Sequence, residues 1–178
     1  MTGLDDFLLK TCRLYTQHLY NTLTFQKDRV IHDNDGSLLG YHSRALTLLL
    51  HPEKALIFRG FSKKYYATKE SRHLEHIVPL SFICNKVCEL FDGKLELVGD
   101  ELDKLLDDGA RLMYQCLGIA FITKEESKLL DKASGLKADM PSCWDDNKDP
   151  ICRLHAVGIE LVDENGNEIR TLKVELPL

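Results

Sequence analysis

A chain of 178 residues, 44% hydrophobic and 29% charged, has the composition of one folded domain rather than of a disordered segment. No apolar run reaches the ~18 residues of a membrane-spanning helix. The acidic start Met1-Thr2-Gly3-Leu4-Asp5-Asp6 is unlike a secretory signal, so a cytoplasmic protein with no membrane partner is expected. A net charge of −5 gives no general attraction to nucleic acid, so such a partner needs a local basic patch.

The predicted elements begin with an amphipathic helix. Leu4, Phe7, Leu8, Thr11, Tyr15, Leu19 and Leu23 recur at three- and four-residue steps and are expected to share its buried face. Asp33-Asn34-Asp35-Gly36 reads as a turn. It is not a calcium loop, because Ile31 and His42 would take the first and last ligand positions. Ser37 is a cap for a second helix running from Leu38 to Leu50, ended by His51-Pro52. Ser81 caps a third helix that Gly93 stops, and Asp100 caps a fourth, with Gly109 as its weak point.

Ile119 to Ile122 reads as a short buried strand. Thr123-Lys124-Glu125-Glu126 then matches a capping box and opens a short helix that Gly135 stops. Met140 to Trp144 starts a polar loop, with Trp144 as a packed anchor. Asp149-Pro150 opens one more short helix, closed by Gly158. Ile159 to Val162 and Ile169 to Glu175 alternate around Asn165-Gly166, the pattern of a hairpin. The expected fold is therefore α+β: a mostly helical single domain over residues 1–178, with a short buried strand and a C-terminal β-hairpin.

The six cysteines, Cys12, Cys84, Cys88, Cys116, Cys143 and Cys152, form no CxxC pair. In a chain large enough to build its own core, they read as reduced, small core residues.

One stretch stands apart. Lys54, Arg59, Lys63, Lys64, Lys69 and Arg72 oppose only Glu70, a local charge of +5 inside a chain of −5. Phe58, Phe61, Tyr65 and Tyr66 alternate with these charges, the mixture that suits a phosphate backbone and unstacked bases. Arg59, Lys63, Lys64, Tyr65, Tyr66 and Lys69 are the candidate nucleic-acid contacts. The stretch runs directly into Arg72-His73-Leu74-Glu75-His76-Ile77-Val78-Pro79-Leu80. An adjacent carboxylate and imidazole can carry out metal-assisted hydrolysis, one holding a divalent ion and the other taking a proton from water. In an extended segment they point to opposite sides, so that chemistry needs a bend here.

Glu75-His76-Ile77-Val78-Pro79-Leu80 resembles the first half of the HNH, or His-Me finger, nuclease motif. The resemblance implies a β-hairpin and helix gripping one metal, Mg²⁺ or Mn²⁺. Glu75 would be a metal ligand, His76 the general base, and Arg72 and His73 phosphate-orienting groups. Asn85, nine residues after His76, is the candidate for the motif's later metal-side residue. Glu75 to Pro79, Thr123 to Glu126, Met140 to Trp144, Arg153 and Gly158-Ile159 together also resemble a group of uncharacterised phage and bacterial proteins.

Two functions are expected from these residues. The first is a small metal-dependent nuclease acting on DNA or RNA. The second is a non-catalytic phage or bacterial interaction protein that binds a host protein or oligomerises, with the Trp144 loop and the terminal hairpin as contact surfaces.

Overall fold

The computed structural model describes residues 3–27, 42–133, 135–142, 144 and 149–172. The fold is α+β, and its contacts divide it into two compact units. Among the described residues, no helix is long and apolar enough to cross a membrane.

The first unit is helical and holds residues 3–27, 42–51 and 83–114. Helix α1 is Gly3–Gln26 and α2 is Arg44–Leu49. Most of α5 (Leu80–Glu89) and nearly all of α6 (Asp100–Cys116) belong here too. The buried residues of α1 are Leu8, Cys12, Tyr15, Thr16, Leu19, Tyr20, Thr22 and Gln26. Leu4 and Phe7, expected on that face, are exposed. The buried face is thus rotated from the expected one, toward positions 12, 16 and 20. The Tyr20 and Phe91 rings meet edge to face at 5.3 Å. Arg13 holds Asp103 and Asp107, one turn apart on α6, at 2.7 Å each. Helix α6 runs unbroken through Gly109, and the glycine has a positive reason to be there. A Cβ at this position would lie 2.7 Å from the Thr16 Cγ2, so only glycine lets α1 approach so closely.

The expected start of the second helix is corrected. His42 and Ser43 are not helical, α2 begins at Arg44, and Ser43 makes no side-chain cap. The Asp33–Gly36 turn and the Ser37 cap lie outside the described residues, as do Cys143 and the hairpin residues beyond 172. Cys12, Cys84, Cys116 and Cys152 are buried and Cys88 is half-buried, as expected of small core residues.

The second unit holds residues 52–82 and 115–172 and is built on a sheet. Its elements in order are α3 (Glu53–Leu56), β1 (Phe58–Ser62), α4 (Lys63–Thr68), β2 (Arg72–His76), β3 (Ile119–Thr123) and α7 (Lys124–Lys128). A single π-helical turn, Leu129–Ala133, extends α7. Then come α8 (Cys152–His155), β4 (Leu161–Val162) and β5 (Glu168–Ile169). The strand order is β2-β3-β1-β4-β5, with β1 and β3 parallel and the other pairs antiparallel. Strand β3, buried at every position, is an interior strand between β2 and β1, as its apolar sequence requires.

Ala120, Ile122 and Leu161 pack against Leu130, Leu136, Ile151, Leu154 and Ile159, which form the core under one sheet face. Thr123 and Glu126 complete the predicted capping box. Glu126 Oε2 accepts from the Thr123 N–H at 2.8 Å and from the Ser62 hydroxyl at 2.7 Å, while Ser62 in turn accepts from Tyr65 N–H and caps α4. Gly60 sits at φ +152°, where a Cβ would meet the Val162 carbonyl oxygen at 2.6 Å. That close approach is what allows β4 to lie along β1.

Strands β1 and β2 were not expected as strands. Their residues carry the charges of the basic stretch, and no two-residue alternation of apolar and polar types shows through them. The hairpin is present but shorter than predicted. Asp163 closes its turn by accepting from the N–H groups of Asn165 and Asn167.

Candidate functional site

The motif lies on β2, an edge strand, and the chain there is extended rather than bent. Arg72, Leu74 and His76 pair with Thr123, Phe121 and Ile119, so they share one face of the sheet with the Phe121 ring. His73 and Glu75 pair with Ile122 and Ala120 and take the other face. The expected bend at Glu75-His76 is absent, because five ladder pairs hold the whole segment straight.

Glu75 is consumed by structure. Arg153, whose side chain is 1% exposed, donates Nη1–H to Glu75 Oε1 at 2.8 Å and to the His76 carbonyl at 2.7 Å. The same guanidinium donates Nε–H to the Leu136 carbonyl at 2.7 Å. His73 Nε2 approaches the second Glu75 oxygen at 3.3 Å. A buried guanidinium is tolerated only when it is paired and hydrogen-bonded, and Glu75 is its one carboxylate among the described residues. A divalent ion at Glu75 would have to displace that arginine, so the residues present do not fit a metal there. Asn85 is exposed on α5 and lies in the helical unit. Among the described residues, no group of three His, Cys, Asp or Glu side chains is arranged to hold a metal ion.

His76 has a different partner. Its Nε2 lies 2.9 Å from Glu53 Oε1 in the first turn of α3. The Arg153 contact to its carbonyl clamps the main chain from the core side, while Glu53 fixes the ring on the other. Among the described residues Nδ1 makes no hydrogen bond, which leaves that nitrogen to exchange a proton with a substrate or water.

Around His76's face the structure assembles an aromatic platform. Phe121 lies 5.4 Å from Phe58, 6.0 Å from Phe61 and 6.1 Å from Tyr65, and Phe61 lies 5.9 Å from Tyr66. Phe58 and Phe61 are three apart and would face opposite ways in a regular strand. The register shift between Phe58 and Gly60 brings both rings to one side.

Three cations stand on this platform. Lys54 Nζ is 5.6 Å from the Phe121 centroid, and the Arg72 guanidinium is 5.1 Å from the same ring. Lys69 Nζ is 3.9 Å from Tyr66 and 4.9 Å from Phe61. None of the three meets a carboxylate among the described residues. Each ring contact offsets about 0.5–1 kcal/mol at an exposed site. A ring contact leaves the positive charge itself in place.

The other predicted contacts are used differently. Lys63 bridges Glu160 at 2.6 Å and Glu168 at 3.6 Å, and the Glu160 hydrogen bond raises its pKa above the ordinary lysine value. Arg59 donates to the Leu117 carbonyl. Lys64 is exposed and Tyr65 is buried. Tyr66 donates its hydroxyl to the Glu164 carbonyl, and its ring lies against the hairpin glycine Gly166. Trp144 is buried with its ring edge to face with Phe82 at 5.8 Å, so it is an anchor and not an exposed contact.

Sequence reasoning missed Glu53 and the structural role of Arg153. Arg153 had a signal: an arginine inside the apolar run Ile151-Cys152-Arg153-Leu154 needs a buried carboxylate. Glu53 had none, being 23 residues from His76 in the chain. No family model, no curated protein and no solved structure matches this chain.

Proposed function

We propose that the cationic sheet face binds the phosphate backbone of a nucleic acid and that His76 serves phosphodiester hydrolysis there as the general base. The observation that carries this reading is the set of three cations, Lys54, Lys69 and Arg72, with no carboxylate partner among the described residues, seated on rings of the same face that presents His76. Phosphates would neutralise the three at once.

In the step, the oxygen of water bonds to phosphorus and its proton passes to His76 Nδ1. The bond from phosphorus to the leaving oxygen breaks, and that oxygen takes a proton from solvent. Lys54 and Arg72 stabilise the charge that builds on the phosphoryl oxygens. Glu53 keeps the imidazole oriented through Nε2.

The test is cleavage of single-stranded DNA and RNA by wild type and His76→Ala, with and without Mg²⁺ or Mn²⁺. Binding of the same strands by Lys54→Ala/Arg72→Ala is measured beside it. Cleavage lost with His76→Ala and binding weakened in the double variant support the reading. Equal cleavage by wild type and His76→Ala would overturn the mechanism, and equal binding by the double variant would overturn the surface. A non-catalytic role in protein association is the second reading. The observation that favours it is the exposure of the apolar side chains Leu4, Phe7 and Leu14 on α1.

A further inference from the structure

The sheet unit has a second feature that the cationic face does not use. Ser62 follows Phe61 on β1 and pairs with Leu161, so it points to the core side, away from the aromatic rings. There it meets Glu126, and Glu126 lines a pocket of about 290 Å³.

Glu126 is only 8% exposed and only half satisfied. Its Oε2 accepts from the Ser62 hydroxyl at 2.7 Å, the Thr123 N–H at 2.8 Å and the Thr123 hydroxyl at 2.9 Å. Its Oε1 accepts no hydrogen bond among the described residues, and it is not one of their unpartnered atoms sealed from solvent. That oxygen is therefore open to the pocket that the side chain lines. All three donors on Oε2 are neutral, and a carboxylate this buried is held best by a charged donor.

The other charges on the wall separate in the same way. Lys63 and Glu160 line the pocket and pair with each other at 2.6 Å. Lys64 lines it too, and its ammonium meets no carboxylate among the described residues. One carboxylate and one ammonium are thus left unmatched. Leu129, Val157 and Ile159 supply the apolar remainder. Leu129 also opens the π-helical turn, a widened turn found mostly at functional sites.

We propose that this pocket binds a free α-amino acid with an aliphatic side chain. The ligand's ammonium donates to Glu126 Oε1, its carboxylate meets Lys64, and its side chain lies against Leu129, Val157 and Ile159. Two opposite unmatched charges call for a ligand that carries both. A plain amine would leave Lys64 unmatched, and a plain carboxylic acid would set a like charge beside Glu126. Size agrees: ligand sites commonly span ~300–1,000 Å³, and this one lies at the small end, which suits an amino acid better than a nucleotide. The proposal makes no use of His76 and is independent of cleavage.

Equilibrium dialysis of the full chain against radiolabelled L-leucine at millimolar concentration tests this. Wild type should bind it. Isocaproate, which is leucine without the ammonium, and isoamylamine, which lacks the carboxylate, should each compete about tenfold more weakly than unlabelled leucine or worse, because each forfeits a charge-assisted hydrogen bond. Glu126→Gln keeps an oxygen for the three donors and puts an amide where Oε1 stood. It should weaken binding by a similar factor, as should Lys64→Glu at an exposed position, both with wild-type circular dichroism. No binding by wild type overturns the proposal. So does wild-type affinity in either folded variant, or competition by isocaproate or isoamylamine as strong as by leucine. If Glu126→Gln fails to fold, Lys64→Glu and the two analogues decide.

Discussion

Glu75 and His76 are neighbours in the chain and end in opposite environments. Glu75 faces the core side of the sheet and is held by a fully buried arginine. His76 faces the aromatic side, is a quarter exposed, and has one ring nitrogen committed to Glu53. A two-residue motif read as one site is therefore two, divided by the pleat of a strand. The same contrast recurs among the lysines. Lys63 is paired with two glutamates, while among the described residues Lys54 and Lys69 meet rings and no carboxylate. Charge in the sequence is not charge in the field of the folded molecule; what matters is which cations find a carboxylate.

The largest way to break the comparison is to remove the core-side cation. Arg153→Met leaves Glu75 half-enclosed without its counter-charge and should cost about 3–5 kcal/mol. Chemical denaturation measures it, and adding Glu75→Gln in the same chain should recover part of the loss, since the pair couples. A loss well under 1 kcal/mol would mean that Glu75 is solvated rather than bound.

His76→Ala tests the other side. It should abolish cleavage while costing less stability than Arg153→Met, because the group removed is partly exposed and makes one hydrogen bond worth about 0.5–1.5 kcal/mol. Activity lost only in proportion to unfolding would make the two faces equivalent and both structural.

The cations give a graded effect. Lys54→Ala/Arg72→Ala should flatten the salt dependence of nucleic-acid binding, each lost phosphate contact lowering the log–log slope by about 0.7 for a single strand. Lys63→Ala should leave that slope where it was, since its charge already faces Glu160 and Glu168. Equal effects from the two variants would refute the distinction between paired and unpaired lysines.

The smallest effect lies in the helical unit. Burial, then the neighbouring Cys84, push the Cys88 thiol up from 9.0 to about 12. The folded chain therefore holds this proton more tightly than the unfolded chain. The associated stability is complete below about pH 9 and declines as pH rises toward 12. Alkylation of Cys88 by iodoacetamide at pH 8 should be slower in the native protein than in urea, and equal rates would refute the shift.

Local chemistry legible in the sequence includes the capping box at Thr123, the buried strand at Ile119, the Asn165-Gly166 hairpin turn and the amphipathic character of α1. Each depends on residues within a few positions of one another. What was not legible depends on residues far apart. Strand β1 carries a register shift that hides its alternation, and β2 is an edge strand with a polar sequence, so neither shows the periodicity that announces a strand. The rotation of α1 toward Cys12 and Thr16 was decided by α6, whose Gly109 admits the Thr16 methyl. The candidate site divides in the same way: the basic and aromatic residue types were visible, but which of them cluster was not.

The sequence by itself determined the capping box at Thr123, the Asn165-Gly166 turn, and that a cationic, aromatic segment leads into a carboxylate–imidazole pair, while the expected cap Ser81 falls inside α5. Only the tertiary structure decided that Arg153 takes Glu75, that Glu53 takes His76, and that three cations are left on the rings without an acid among the described residues. The physical reason is range. Caps and turns are set by hydrogen bonds across three or four residues, whereas pairing and desolvation are set by whichever group the folded chain brings to the same place.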